Sequence, residues 1–284
     1  MVSQFAVTAD LYYLNPPDNG EKPWTNVNAN NTIQAITSPP NFQDRNYNFV
    51  KHSLPIHPVQ SDDPDITLDR AGFQFYRRPS KEKTFDDEEQ IKAEYYQESI
   101  GLIKELTGAN RVVVFDHTIR RSGATGPNTP DNRQPVTTVH VDQTPEAAEN
   151  RVKRHLPPED VSELLSKRHQ IINLWRPFSH VAQDWPLALA DYRHLDYEKD
   201  LTPVTLKYPD REGETFGVKF NERHKWYYMK DMTPDDLVLI KCFDSKTDEG
   251  ISRLTPHTAF FDTAAPTDAP PRHSIEIRAL VFYP

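Results

Sequence analysis

A chain of 284 residues carrying 42 acidic and 33 basic side chains, formal charge -9, can enclose one sizeable core and is too acidic to attract a polyanion such as nucleic acid. Hydrophobic residues make up 36% and mean hydropathy is -0.74, with no apolar run long enough to span a bilayer, which excludes a membrane helix and suits a water-soluble protein. One cysteine excludes an internal disulfide, and 25 prolines against 9 glycines favour short segments joined by stiff loops. Met1-Val2-Ser3-Gln4 lacks the basic and apolar stretches of a signal peptide, so a cytosolic protein is expected. Val7 to Leu14 reads as an edge strand. Asn15 to Asn46, dominated by Pro, Asn and Thr, belongs to an irregular wrap expected over 1–80, laid on a helix-flanked core over 81–284, all within one domain.

Asp86 to Thr107 carries Ile91, Tyr95, Leu102 and Leu106 at helical spacing, with Tyr96, Ile100 and Ile103 beside them and Gly108 as a stop. The β-branched run Arg111 to Phe115 predicts a strand, followed by a polar loop from Thr118 to Pro135 and a second strand from Val136 to Val141. Thr144-Pro145-Glu146 supplies an N-cap, a first-turn proline and a first-turn acid, so helices are predicted from Pro145 to His155 and from Glu159 to Lys167. Strands then dominate: Gln170 to Trp175, Val204 to Tyr208, Thr215 to Phe220, Lys225 to Met229, Leu237 to Phe243 with Cys242 as a buried structural thiol, and Ser274 to Phe282. With no strand–helix alternation and no glycine-rich phosphate loop, the pattern predicts a mainly β fold with flanking helices, a jelly-roll or double-stranded β-helix core.

Two His-x-acid tripeptides stand out. His194-Leu195-Asp196 lies in a polar, turn-like segment suited to surface hydrogen bonding. His140-Val141-Asp142 ends an apolar strand, where residues two apart point to the same side and can reach one ion. Alone, that pair reads equally well as a half-buried histidine bonded to a nearby aspartate. A third ligand must come from a distant strand, and His257, kept extended by Pro256, is the best candidate. Arg272 and Ser274, two apart at the start of the last strand, suit a clamp for the distal carboxylate of 2-oxoglutarate. Two histidines and one carboxylate leave open positions on an iron(II) ion, and the absence of available thiolates argues against structural zinc. The expected chemistry is oxidative decarboxylation of 2-oxoglutarate by dioxygen, coupled to hydroxylation or desaturation of a small molecule.

Seven blocks carry a family resemblance: Leu68-Asp69-Arg70-Ala71-Gly72-Phe73, Thr107-Gly108-Ala109, Phe115 to Arg121, Val139-His140-Val141-Asp142-Gln143-Thr144-Pro145, Asn173-Leu174-Trp175-Arg176-Pro177, Leu187 to Arg193, and Arg272 to Arg278. In this order they resemble the fungal hydroxylase/desaturase AsaB family, related to the CmcJ component of cephem methoxylation. The resemblance implies a non-haem iron oxygenase of fungal secondary metabolism with its metal at His140, Asp142 and His257. Two features depart from the usual pattern: the long separation between Asp142 and His257, and His273 where the family has an acid between arginine and serine.

Asn173 and Arg176 are further candidates for the near carboxylate of the co-substrate. His117, Arg121, Arg133, Trp175 and Trp226 are candidates for the substrate pocket, each with a bland alternative: His117 as a tie between loop and core, the arginines as solvated loop residues, the tryptophans as core. Arg120 flanks the same loop as Arg121 and Arg133. Two readings compete with the main one, an iron oxidase or isomerase of this fold that does not use 2-oxoglutarate, and a jelly roll that only binds a small metabolite. A two-fold homodimer is the commonest prior for oligomeric state.

Overall fold

The computed structural model describes residues 6–27, 44–61, 63–121 and 133–284. Along the chain its strands are β1 (Val7–Asn15), β2 (Trp24–Asn26), β3 (Asn48–Pro58), β4 (Phe73–Arg77), β5 (Arg111–Arg121), β6 (His140–Val141), β7 (His169–Pro177), β8 (Leu187–Ala190), β9 (Leu201–Lys207), β10 (Glu212–Val218), β11 (Trp226–Tyr228), β12 (Asp236–Asp244), β13 (His257–Ala259) and β14 (His273–Phe282). The longer helices are α1 (Tyr96–Thr107), α2 (Pro145–His155) and α3 (Pro158–Ser166). One sheet runs β1-β3-β11-β8-β13-β6-β10-β9-β2, the other β4-β12-β7-β14-β5. All neighbours in the second sheet are antiparallel. This is the jelly-roll class that the sequence pattern predicts.

β7 and β12 are buried along their whole length because their sheet is covered on both faces. Alternation divides each strand between two cores. Ile171 and Trp175 of β7, with Val238 and Ile240 of β12, face the first sheet. Ile172, Leu174, Leu237 and Leu239 face α1, where Ile91, Tyr95 and Ile103 close the layer. The first sheet also curls on itself: Tyr12 of β1 bridges Thr138, and Val139 N donates to Tyr12 O, enclosing a third core around Leu11, Tyr13, Val141 and Trp226.

The helix predicted from Asp86 begins two residues later, at Glu88, with the Asp87 carboxylate accepting from Glu89 N and Gln90 N, and passes through a π-helical turn at Ile91–Tyr95 before α1 ends at left-handed Gly108. Thr144 caps α2 as expected, accepting from Ala147 N with Pro145 in the first turn.

Other expectations need correction. Residues 1–80 are not simply an irregular wrap, since β1, β3 and β4 lie within them and join both sheets. β3 escapes sequence pattern because it is largely exposed and contains Pro55. β5 runs on to Arg121 through pairing with β14, and residues 122–132 of the predicted loop lie outside the described residues. The strand predicted over 136–141 shrinks to β6 plus the Tyr12–Thr138 bridge. Cys242 is fully buried, and burial pushes its thiol well up, as a structural cysteine requires. No helix among the described residues is long and apolar enough to cross a membrane.

Gly72 has φ +95, and a Cβ there would lie 2.4 Å from Thr255 Oγ1 and 2.9 Å from Leu254 O. Its carbonyl accepts from Thr255 Oγ1 and Lys241 N, which ties β4 and β12 to the segment leading into β13. Gly72→Ala is therefore expected to destabilise by roughly 2–4 kcal/mol, combining left-handed strain with a backbone clash. Thermal unfolding measures this directly.

Candidate metal centre

Register builds the centre. His257 of β13 pairs directly with His140 of β6, so both imidazoles leave the same face of the sheet with ring centroids 4.5 Å apart. Asp142 lies two residues beyond His140 and projects to that side. One ligating atom from each of the three falls within 4.8 Å of the others.

Each histidine is oriented from behind. His140 Nδ1 lies 2.8 Å from Thr138 O, and His257 Nδ1 lies 3.0 Å from Thr255 O. A carbonyl only accepts, so both Nδ1 atoms carry a proton, and in the neutral imidazoles that a metal ion takes both Nε2 atoms present lone pairs. Those atoms lie 3.4 and 3.9 Å from Asp142 Oδ1. The other carboxylate oxygen, Oδ2, accepts from Asn173 Nδ2 at 2.8 Å and Arg278 Nε at 3.3 Å. Second-row bonds thus hold all three donors while leaving the inward atoms available, which is the support a metal site requires.

The electrostatics agree. Burial would raise the Asp142 carboxyl, but Arg278 and the two histidines hold it well below the usual range. Burial lowers His257, aided by the charge of His140. For His140 burial acts downward and is overcome by the hydrogen bond and charge of Asp142, leaving it raised. Asn173→Ala would remove the shortest bond to Asp142, and metal affinity is expected to fall roughly 10–100-fold, read by competition with a chelator.

The three side chains open into a small cavity, about 40 Å³, also lined by Trp175, Arg272 and Glu276. Arg272 is buried with its guanidinium 5.4 Å from the Trp175 ring centre, and its Nη1 donates to Trp185 O. Burial, reinforced by Arg120, pulls it down to about 9. Ser274, on the same face of β14, is buried and its Oγ has no partner among the described residues. Glu276 and Arg278 continue that face and form an ion pair, while Arg278 also bonds Asp116 and Thr118. Sequence reading missed Glu276 and Arg278, although counting onward in twos from Arg272 would have found both.

Other candidates fall elsewhere. Arg176 has opposite parity to Asn173 and Trp175, so it points toward the helix layer, donating to Arg78 O with its guanidinium 5.8 Å from the Tyr95 ring centre. His117 and Arg121 share that side of their sheet: His117 bonds Tyr96 at 2.8 Å and Glu88 at 3.2 Å, and Arg121 bonds Asp86. With Arg133 they line a separate cleft of about 740 Å³. Arg120 is the arginine of that group whose side chain reaches the metal-side cavity. Trp226 lies in the third core, donating to Tyr13 O–H oxygen at 2.8 Å, because its partner Ala190 and not Leu189 faces that side. In the other His-x-acid tripeptide, Asp196 caps a short helical turn at Tyr197–Asp200, away from the centre.

Residues 11–282 match the oxidoreductase/YMDC permease-like domain family. A hydroxylase/desaturase, efuI of Hormonema carpetanum, is 36% identical over 250 residues, covering 80% of this chain and 82% of the relative. An Fe(II)/2-oxoglutarate-dependent dioxygenase, nvfI of Aspergillus novofumigatus, is 33% identical over 258 residues, covering 87% and 89%. The solved structure of the iron and alpha-ketoglutarate-dependent endoperoxidase NvfI superposes with a TM-score of 0.86 at 29% identity, covering 99% of both chains.

Proposed function

This chain belongs to the oxidoreductase/YMDC permease-like domain family, within its AsaB-like fungal hydroxylase/desaturases, and from that premise we propose that His140, Asp142 and His257 hold the iron of an iron(II)/2-oxoglutarate-dependent dioxygenase. It oxidises a small-molecule intermediate of fungal secondary metabolism with dioxygen. The observation that carries the site assignment is the convergence of two Nε2 lone pairs and one carboxylate oxygen, each held by a bond on its far side. Iron(II) bound there supplies the redox chemistry that couples decarboxylation of 2-oxoglutarate to substrate oxidation.

The residues around the centre have separable tasks. Thr138 and Thr255 carbonyls fix the histidine tautomers, and Asn173 with Arg278 fixes the carboxylate. Arg272 and Ser274 receive the distal carboxylate of the co-substrate, and Trp175 keeps the guanidinium in place. Glu276 lines the same cavity, paired with Arg278, and its charge repels the arriving dicarboxylate. We extend the same reading to a single domain over 1–284, since both sheets draw strands from early and late in the chain, to action in the cytosol without nucleic acid, and to a two-fold dimer.

The test is turnover with a panel of fungal metabolites under air. Succinate must form in step with a product whose mass shows gain of oxygen or loss of two hydrogens. Iron-dependent product without succinate would remove 2-oxoglutarate from the reaction. Ligand binding unaffected by chelators, with no stoichiometric iron, would reduce the protein to a binding jelly roll.

A further inference from the structure

Asp142 lines a second opening besides the cavity that contains Arg272. This is a cleft of about 230 Å³ between α2 and the β9–β10 hairpin, with Gln143, Ala147, Arg151, Leu206 and Tyr208 in its walls. Depth separates its charges. Glu146, Arg154, Arg211 and Glu212 are exposed at the rim, where water screens them, and Lys22 is paired with Glu214. Arg151 is half-buried, and no hydrogen bond or ion pair reaches it from the described residues. Its guanidinium lies 5.4 Å from the ring centre of Phe115, which His155 backs at 5.1 Å. A guanidinium stacked on a ring keeps its N–H edge free for an acceptor. Asp116, an acid whose charge Arg151 feels, is bonded to Arg278.

Gln143 adds an independent sign. It is 4% exposed, adjoins Asp142, and its Oε1 has no hydrogen-bond partner among the described residues. A buried acceptor left open beside a reactive centre calls for a donor from outside. The bulge in β5 explains the placement. Register shifts opposite Arg278/Ala279, leaving Phe115 as the extra residue of β5, free to support Arg151, while the exposed Asp116 next to it bonds Arg278.

We propose that the organic substrate reaches the centre through this cleft, on the opposite side of Asp142 from the co-substrate, and that it presents an anionic oxygen group to Arg151 and a hydroxyl or N–H donor to Gln143. This rests on the reading of Asp142 as a metal ligand. The substrate class is therefore an acidic small molecule, a carboxylate or enolate on a partly apolar frame that lies along Ala147, Leu206 and Tyr208.

The test uses the full chain loaded anaerobically with iron(II) and saturating 2-oxoglutarate, titrated calorimetrically with naphthoate and with neutral naphthamide while the visible charge-transfer absorption is followed. Naphthoate should bind more tightly, and Arg151→Gln should weaken it about tenfold, with Arg151→Lys recovering much of the loss. Naphthamide affinity should stay unchanged in Arg151→Gln, which also shows that the variant is folded. Arg154→Gln at the rim should change naphthoate affinity less than about threefold. Equal affinity for the two probes in the native chain overturns the proposal, as does an Arg151→Gln effect no larger than that of Arg154→Gln. Bleaching of the absorption by naphthoate overturns it as well, because the probe has then displaced the co-substrate. Absence of the absorption before any probe is added defeats the iron reading, while the calorimetric comparison still decides the cleft.

Discussion

Alanine at either His140 or Asp142 should abolish stoichiometric iron binding, the charge-transfer absorption formed with 2-oxoglutarate, and succinate production. Each change removes one of three inward donors, and loss of a direct ligand should exceed the roughly 10–100-fold cost of losing a supporting partner. Asp142→Asn is the sharper variant. Asn173 Nδ2 and Arg278 Nε both donate to Asp142 Oδ2, so the single amide oxygen would turn toward them. Its NH2 would then face the two imidazoles, a donor where a lone pair is needed. The fold should survive, since Arg278 keeps Asp116, Thr118 and Glu276 as partners. Circular dichroism with an unchanged spectrum, together with metal analysis showing no iron, is the expected pair of results. A variant that retains one iron per chain would show that the ion is held elsewhere.

Why His140 and Asp142 were legible in sequence, and Trp226 was not, comes down to where the information sits. The separation of two between His140 and Asp142 is local, and strand alternation alone puts both on one side. The caps of α2 are equally local: Thr144, Pro145 and Glu146 are consecutive. The unbroken apolar stretches Leu237 to Ile240 of β12 and Ala279 to Phe282 of β14 arise because their sheet is covered on both faces, which made these strands visible without any partner. Trp226 faces the third core because β11 pairs with β8 in a register that places it opposite Ala190, and nothing within Trp226-Tyr227-Tyr228 encodes that register. The side taken by His117 and Arg121 was hidden for a related reason, since only the pairing of β5 with β14 shows which side is odd and which even. Arg176 was a different failure: its parity against Asn173 was available in the sequence and sufficed to send it to the Tyr95 side.

The contact between His140 and His257 is the most distant feature that was anticipated, and chain separation alone gave it little support. Between Asp142 and His257 the chain forms α2, α3 and six strands, β7 to β12. Those elements build most of both sheets before β13 enters between β8 and β6, and β14 then enters between β7 and β5. The long separation is thus accounted for by the wall of the jelly roll itself, and β13 needs only three residues to deliver its histidine.

Arg272→Ala should raise the apparent KM for 2-oxoglutarate by roughly a hundredfold, and Arg272→Lys by about tenfold, with iron affinity retained by both. The physical argument is the state of this side chain before co-substrate binds. Arg272 is almost completely buried, its guanidinium is steadied by Trp175 and the Trp185 carbonyl, and burial with the nearby Arg120 charge draws its pKa down to about 9. Asp184 and Glu276 already bring negative charge to this guanidinium, and a carboxylate arriving in two parallel hydrogen bonds adds to it with the matching planar geometry. Lysine keeps the charge but offers a point donor without the planar fork, hence the intermediate loss. Arg272→Met separates this role from folding. Its melting temperature without co-substrate should remain within about 2–4 °C of the native protein, since a desolvated charge is replaced by an apolar side chain of similar length. The upward shift that iron(II) and 2-oxoglutarate together give the native chain should shrink in the variant to that given by iron(II) alone, because the free energy of co-substrate binding no longer adds to that of folding. A native-sized upshift in Arg272→Met would place the distal carboxylate on some other residue, with Arg120 the first to examine because it lines the same cavity.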